Sequence, residues 1–233
     1  MPQRQTERQT QLLVPLCVHG RYRQSFKYFN HGAGEKALRA TLQLRNTSLV
    51  SRAQELLEPA NSSSFRSRNR MDSSMDGSSS SNGAVNSGRV VVGVRVRSGM
   101  GNLGAFGGCL PDAAYYLRAL SYYRQRFPRV AFVYAAEPAG MAWFKQEVIA
   151  HDALKGFDCF PLGTENPIET FAALSRCDAN VFSYGSFGWF AAWLAHGPVV
   201  YSKHLKGNPR NCDTVARSGV GIDDHIPPEW IAI

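Results

Sequence analysis

No two cysteines of this chain form a C-x-x-C pair. The five present, Cys17, Cys109, Cys159, Cys177 and Cys212, are odd in number and widely spaced, which argues against a thiolate metal chelate and leaves disulfide pairing open. Long hydrophobic runs are scarce at the start. In MPQRQTERQTQLLVPLCVHG the apolar stretch is about seven residues, too short to span a bilayer and short even for a signal-peptide core. Large apolar side chains are almost missing from Asn61 to Ser87, a run of serine, asparagine and arginine that cannot offset the entropy of being ordered and reads as a flexible insertion. Acidic residues are also few early on. Residues 1–90 hold 13 Lys and Arg against 6 Asp and Glu, whereas the remainder holds 13 against 12. The net charge of +8 therefore belongs mostly to a solvated basic arm, and no nucleic-acid-binding motif accompanies it.

What is present supports a folded domain. With 233 residues and 44% hydrophobic content, the chain can bury a core in one or two domains. The sequons Asn46-Thr47-Ser48 and Asn61-Ser62-Ser63 would suit a luminal protein. Three parts are expected: a partial N-terminal helical region over 1–60, the serine-rich insertion over 61–88, and an α/β domain over 89–233. In the first, EKALRATLQLRNTSLVSRAQELLEP carries leucines at mixed spacings of three and four and predicts helix.

Beyond the insertion, strand and helix alternate. RVVVGVRV, RVAFVYAA, GFDCFPL, ANVFSY and PVVYS read as strands. Between them, PDAAYYLRALSYYRQRF is a helix started by Asp112, and MAWFKQEVIA is another. NPIETFAALSRC has Asn166 as cap, Pro167 at the first helical position and Glu169 placed to close a capping box. SFGWFAAWLAH is a helix ended by Gly197. Five short strands separated by helices predict a Rossmann-like, doubly wound parallel sheet covered on both faces.

In such sheets ligands bind beyond the carboxyl ends of the strands, and two motifs fall there. In VGVRVRSGMG, side-chain alternation puts Arg95 and Arg97 on one side of a strand tip, where guanidiniums can grip phosphate. In SYGSFGWFAAWLAHGPVVY, Tyr184, Gly185, Ser186 and Phe187 lead into an apolar helix. Gly185 permits close backbone approach, Ser186 is suited to N-capping or to bonding a ligand oxygen, and Tyr184 and Phe187 offer aromatic surface to a base or sugar. The N–H groups at this helix mouth suit an anion, while Trp189 and Trp193, four apart, read as core.

The stretch Gly99-x-Gly101-x-x-Gly104 formally matches a dinucleotide fingerprint. The third glycine does not open a helix, because AFGGCLP intervenes before Asp112, and the first acid at the end of the next strand, Glu137, lies too far on. A dinucleotide-dependent oxidoreductase is accordingly the weaker reading.

Taken together these segments resemble the α-1,2-fucosyltransferases, the inverting family that uses GDP-fucose. VGVRVRSGM is similar to that family's V-G-V-H-V-R-R-G-D segment, AFVYAAEPAGMAWFKQEV to its strand and tryptophan-bearing helix, and FAALSRCDANVFSYGSFGWFAAWLAHGPVVY to its [ST]-x-G-[ST]-F-x-x-W/F-A-A-x-L segment. PPEWI near the end and GRYRQSFKYF near the start also match. The resemblance runs from about residue 20 to the end and skips the serine-rich insertion.

It implies the C-terminal half of a GT-B-like fold that holds GDP-fucose and transfers fucose to a terminal galactose of a glycan, with no cofactor or required metal. It further implies a Golgi lumenal setting, with any membrane attachment made through an anchor outside this chain. Arg97 falls on the arginine that meets the donor diphosphate, with Arg95 beside it, and Tyr184, Gly185, Ser186 and Phe187 fall on the donor pocket. This chain departs from the family at Arg95 in place of histidine, Ser98 in place of the second arginine, Met100 in place of an acid, and Thr170 in place of the acid before the alanine-rich helix. These departures identify no general base and motivate an alternative, a GDP- or glycan-binding remnant without turnover.

Overall fold

The structure, a computed structural model, describes residues 33–42, 46–62, 88–97, 110–203 and 225–233. Among these residues, six strands form one sheet: β1 (Val90–Arg95), β2 (Val130–Ala135), β3 (Asp158–Pro161), β4 (Ala179–Phe182), β5 (Val199–Tyr201) and β6 (Ile231–Ala232). Their order is β3-β2-β1-β4-β5-β6, and every neighbouring pair is parallel. From β1 the chain builds outward through β2 and β3, then returns to the other side of β1 to build β4, β5 and β6. That reversal defines a doubly wound α/β sheet, and it opens a crevice at the carboxyl ends of β1 and β4. The five strands expected from the sequence are all present. The sixth is only two residues long and is recruited by pairing with β5.

Side-chain alternation decides which helices cover which face. Val92, Val94, Val130, Phe132 and Tyr134 point toward α3 (Ala113–Arg126) and toward α4 (Pro138–Phe144), which runs into a π-helical turn, Lys145–Ile149. Their packing partners there include Tyr115, Tyr116, Leu120, Phe144 and Val148. Val91, Ala131, Val133 and Ala135 face the other way, against α2 (Thr47–Ser62) and α5 (Pro167–Leu174). A third cluster joins Trp189 and Trp193 of α6 (Ser186–Leu194) to Phe182, Tyr201 and Trp230. The two tryptophans are core residues, stacked at 6.0 Å. Each large side chain buried in this way contributes on the order of 1.5–3 kcal/mol.

Local signals account for most helix boundaries. Asp112 accepts the Tyr115 N–H at 2.8 Å and starts α3, and Asn166 accepts the Ile168 N–H at 2.9 Å and starts α5, with Pro167 following. Three details differ from expectation. The N-terminal helix is broken into α1 (Ala33–Leu42) and α2, because the Asn46 side chain accepts from the backbone N–H groups of Ser48 and Leu49 and begins a new helix.

Glu169 does not close the capping box on Asn166. Its carboxylate accepts from the Thr164 hydroxyl at 2.6 Å and from Arg52 Nε at 3.4 Å, and the Asn166 N–H goes to Thr164 Oγ1. The threonine stands between the two groups that a direct box would join.

Helix α6 ends at Ala195, and the positive-φ residue beyond it is His196 at 62° rather than Gly197. Gly197 serves a different need: a Cβ there would lie 1.7 Å from the Asp178 carbonyl oxygen. Of the serine-rich insertion expected over 61–88, Asn61 and Ser62 instead close helix α2, and residues 63–87 lie outside the described residues, as do the glycine triplet, Ser98, Met100 and the segment GRYRQSFKYF.

Candidate functional site

The crevice at the carboxyl ends of β1 and β4 is lined by the residues that follow those strands. Arg95 closes β1, and Arg97 stands two residues on, so alternation sends both side chains the same way. They meet a common carboxylate, Glu137, just beyond the end of β2. Arg95 Nη2 lies 3.3 Å from one Glu137 oxygen and Arg97 Nη1 lies 3.5 Å from the other. Arg95 also donates to the Ala135 carbonyl at 3.1 Å, which orients its planar head. Glu137 occupies the N-cap position of α4, yet its side chain does not cap the helix; it is turned to the arginines instead.

The second motif approaches the same place. Strand β4 ends at Phe182, and the buried Ser183 that follows donates its hydroxyl to the Arg95 carbonyl at 2.6 Å, fastening the tips of β1 and β4 together. Gly185 then adopts φ 88° and ψ 155° and acts as the N-cap of α6 without a side-chain hydrogen bond. This conformation is open to glycine and strained for other residues. Ser186 is therefore not the cap. It is the first helical residue, and Gly185 takes the capping position because the sharp turn out of β4 demands a positive φ. Tyr184, Ser186 and Phe187 are half-buried.

Phe187 places its ring 5.2 Å from the Arg95 guanidinium carbon, within range of a cation–π contact, and packs edge-on against Phe171 of α5 at 5.4 Å. The Arg95 stem runs beside Gly188, with Cγ 3.4 Å from where a Cβ at that glycine would sit. The strand tip and the helix mouth, far apart in sequence, thus converge at Arg95, Phe187 and Gly188. Arg97 is brought to the same place through Glu137.

Electrostatics at this edge are governed by two guanidiniums sharing one carboxylate. Burial pulls the Arg95 pKa below its ordinary value; Glu137 opposes that shift and Arg97 adds to it. An arginine remains charged at neutral pH regardless. The first-turn N–H groups of α6 open onto the same crevice and add partial positive charge. The arrangement can receive an anion with several oxygens, such as a phosphate or diphosphate.

Glu169, the carboxylate adjacent to Thr170, is held by Thr164 and Arg52, and Thr170 is buried inside α5. Among the described residues no three His, Cys, Asp or Glu side chains gather into a set that could hold a metal ion. No described helix is long and apolar enough to cross a membrane.

Sequence reasoning missed Glu137 and Ser183 as members of this edge. Ser183 follows β4 directly and Glu137 follows β2 after one residue, and that position at a strand's carboxyl end is the available signal.

Comparison with known proteins adds a family context. Residues 68–230 match the family model described as Glycosyl transferase family 11. Over 117 residues the chain is 35% identical to galactoside alpha-(1,2)-fucosyltransferase 2 of Sus scrofa, covering 47% of this chain and 32% of that protein. The corresponding protein of Bos taurus is 34% identical over 118 residues, covering 47% and 32%. That of Oryctolagus cuniculus is 34% identical over 128 residues, covering 54% and 34%. The chain thus spans about a third of the length of these relatives. Among solved structures, the beta Kdo 2,7 transferase KpsC of Thermosulfurimonas dismutans aligns over 78% of this chain and 57% of its own at 18% identity. The TM-score is 0.31, too low for the alignment to bear on fold or function.

Proposed function

This chain belongs to glycosyl transferase family 11, and from that membership we propose that it forms the donor-binding part of a galactoside α-1,2-fucosyltransferase. In this reading L-fucose leaves GDP-fucose and is transferred, with inversion, to the 2-hydroxyl of a terminal galactose on a glycan. The six-stranded sheet is then the C-terminal half of a GT-B-like pair, and the setting is the Golgi lumen.

The observation that carries the reading is the convergence of Arg95, Arg97 and the mouth of α6 at the sheet's switch point. As the bond from fucose to the diphosphate breaks, negative charge grows on the departing phosphate oxygens. Fixed guanidiniums and helix N–H groups stabilise that charge without reorganising. Arg97, the more exposed of the pair with its side chain 41% accessible, meets the diphosphate. Arg95, oriented by the Ala135 carbonyl and Glu137, stands beside it and shares the phosphate oxygens. Phe187 and Tyr184 supply aromatic surface to the base or sugar.

The test combines turnover with binding. Incubation of the purified chain with GDP-fucose and a β-galactoside is expected to give fucosylated product or donor hydrolysis. Calorimetry is expected to show GDP binding that Arg97→Ala weakens by about 2 kcal/mol, roughly thirtyfold. Absence of GDP binding in the unsubstituted chain rejects the reading.

A second reading is favoured by one specific observation. Inversion needs a base for the acceptor hydroxyl, and Glu137 at the crevice and Glu169 beside Thr170 are both engaged by arginines. A chain that binds GDP but neither transfers nor hydrolyses fucose would be a nucleotide- or glycan-binding member of the family.

A further inference from the structure

Helix α3 turns three buried tyrosines inward, and they are treated differently. Tyr115 reaches the Phe182 carbonyl at 2.7 Å and the Val200 carbonyl at 3.2 Å. Tyr123 reaches those of Pro198 at 2.8 Å and Asn180 at 3.0 Å. Both phenols lie across β4 and β5 and share their one proton between strand carbonyls. Tyr116 is as deeply buried, yet among the described residues its hydroxyl has no hydrogen-bond partner.

A buried hydroxyl without a partner is costly, and proteins rarely keep one without a use. Packing does not require it. The ring sits edge-on to Phe144 at 5.1 Å and to Trp143 at 6.0 Å, contacts that phenylalanine would make equally well.

The surroundings of the phenol suggest its use. The Ser183 hydroxyl and the Arg97 backbone lie close enough to act on it as weak hydrogen-bonding groups, short of the geometry of a full hydrogen bond, and the charges of Arg95 and Glu137 also reach it; these are the groups that line the carboxyl ends of β1, β2 and β4. Tyr116 lies in the first turn of the helix that follows β1, so the fold brings its hydroxyl to the edge where the two arginines stand. Burial also raises its pKa far above the ordinary tyrosine value, which keeps it a neutral O–H donor at every working pH.

We propose that the Tyr116 hydroxyl is a third donor of the anion site, held for an oxygen of the phosphate group that Arg95 and Arg97 receive. The proposal rests on the sugar-nucleotide reading above and adds a binding residue to it. In the unliganded chain the hydroxyl is covered, and the contact forms as an incoming phosphate draws the guanidiniums away from Glu137. The phenol then contributes a hydrogen bond to a charged acceptor, the stronger class of such bonds.

The experiment pairs two substitutions on the full chain, with GDP and inorganic pyrophosphate as probes. Tyr116→Phe is expected to leave the thermal midpoint of the unliganded chain unchanged or raised, and to weaken GDP binding about tenfold. Tyr115→Phe, which removes hydrogen bonds to two strand carbonyls, is expected to lower the midpoint and leave GDP affinity as it is. A structural role for Tyr116 would reverse the first pattern. Unchanged GDP affinity in Tyr116→Phe, or a fall in midpoint matching that of Tyr115→Phe, overturns the proposal while the sugar-nucleotide reading stands. If the unsubstituted chain binds pyrophosphate but not GDP, that reading fails, and the proposal is decided by whether Tyr116→Phe weakens pyrophosphate binding. Failure to bind either probe overturns both.

Discussion

Strand β1 meets an arginine ion pair at each end, and the two ends are built for different purposes. At its amino end Arg89, with its side chain only 5% exposed, is joined to Asp158. Nearby, Asp178 accepts the Val91 N–H at 2.8 Å and donates its own N–H to the Val91 carbonyl at 2.9 Å. Gly197 fits against the Asp178 carbonyl with no room for a side chain. At the carboxyl end two guanidiniums share Glu137, and all three side chains are partly exposed. The amino end is closed by backbone against backbone, while the carboxyl end keeps positive charge in excess of its carboxylate and space beside it. The same residue type locks the sheet in one place and leaves a binding edge in the other.

The strongest way to break this contrast is to make one substitution at both ends. Gly197→Ala forces a methyl group into the Asp178 backbone, which no rotamer can relieve. It is expected to cost roughly 3 kcal/mol or more and to leave little folded chain. Gly188→Ala meets only the flexible stem of Arg95 at 3.4 Å and a ring carbon of Phe182 at 3.6 Å. Within a helix, alanine is favoured over glycine by about 0.5–1 kcal/mol, so this variant is expected to unfold at the same temperature as the unsubstituted chain or a higher one. Thermal unfolding followed by circular dichroism compares them directly. Equal losses from both alanines would show that the two ends are packed alike.

The fold was more legible than the site, for a physical reason that these glycines illustrate. Alternation in VVVGVR and the caps Asp112 and Asn166 are local properties, and the structure bears them out, as it does the burial of Trp189 and Trp193. The role of Gly197 depends on a carbonyl nineteen residues away, and that of Gly185 on the direction in which α6 must leave β4. Neither demand is written in the neighbouring residues, so local sequence points to Ser186 and Gly197 for capping roles that Gly185 and His196 fill. Glu169 matches a capping box by spacing, but Thr164 and Arg52 claim it. Arg95 and Arg97 could be placed on one side of a strand tip from alternation alone. Their shared carboxylate could not, because only the parallel register of β1 with β2 brings Glu137 beside them.

A smaller effect sharpens the comparison at the carboxyl end. If Glu137 occupies the guanidiniums until a phosphate arrives, Glu137→Gln removes the competing charge. GDP affinity is then expected to rise about fivefold, roughly 1 kcal/mol. Stability is expected to fall by a similar amount, since the half-buried Arg95 loses its counter-charge. Calorimetry and urea unfolding on the same preparation separate the two changes. A fall in affinity would assign Glu137 to orienting the arginines instead, and the carboxyl end would then resemble the amino end.

The smallest effect at neutral pH concerns neither end. Burial pushes the thiol of Cys159 up to about 12 and likewise raises Cys177, Tyr115 and Tyr123 above their ordinary values. A group whose folded pKa lies above its unfolded one stabilises the fold below the unfolded value, and that contribution is lost as pH climbs toward the folded value. Stability is therefore expected to be level from about pH 6 to 8 and to decline above about pH 9, where unfolded thiols and then phenols release protons that the folded chain retains. Urea midpoints against pH should accordingly fall in parallel for the unsubstituted chain and for Arg97→Ala. A decline that changed with Arg97 would couple the binding edge to the buried tyrosines and thiols. Parallel curves would locate the alkaline sensitivity in the core beneath α3 and α5, leaving the two ends of β1 distinguished by packing and charge balance alone.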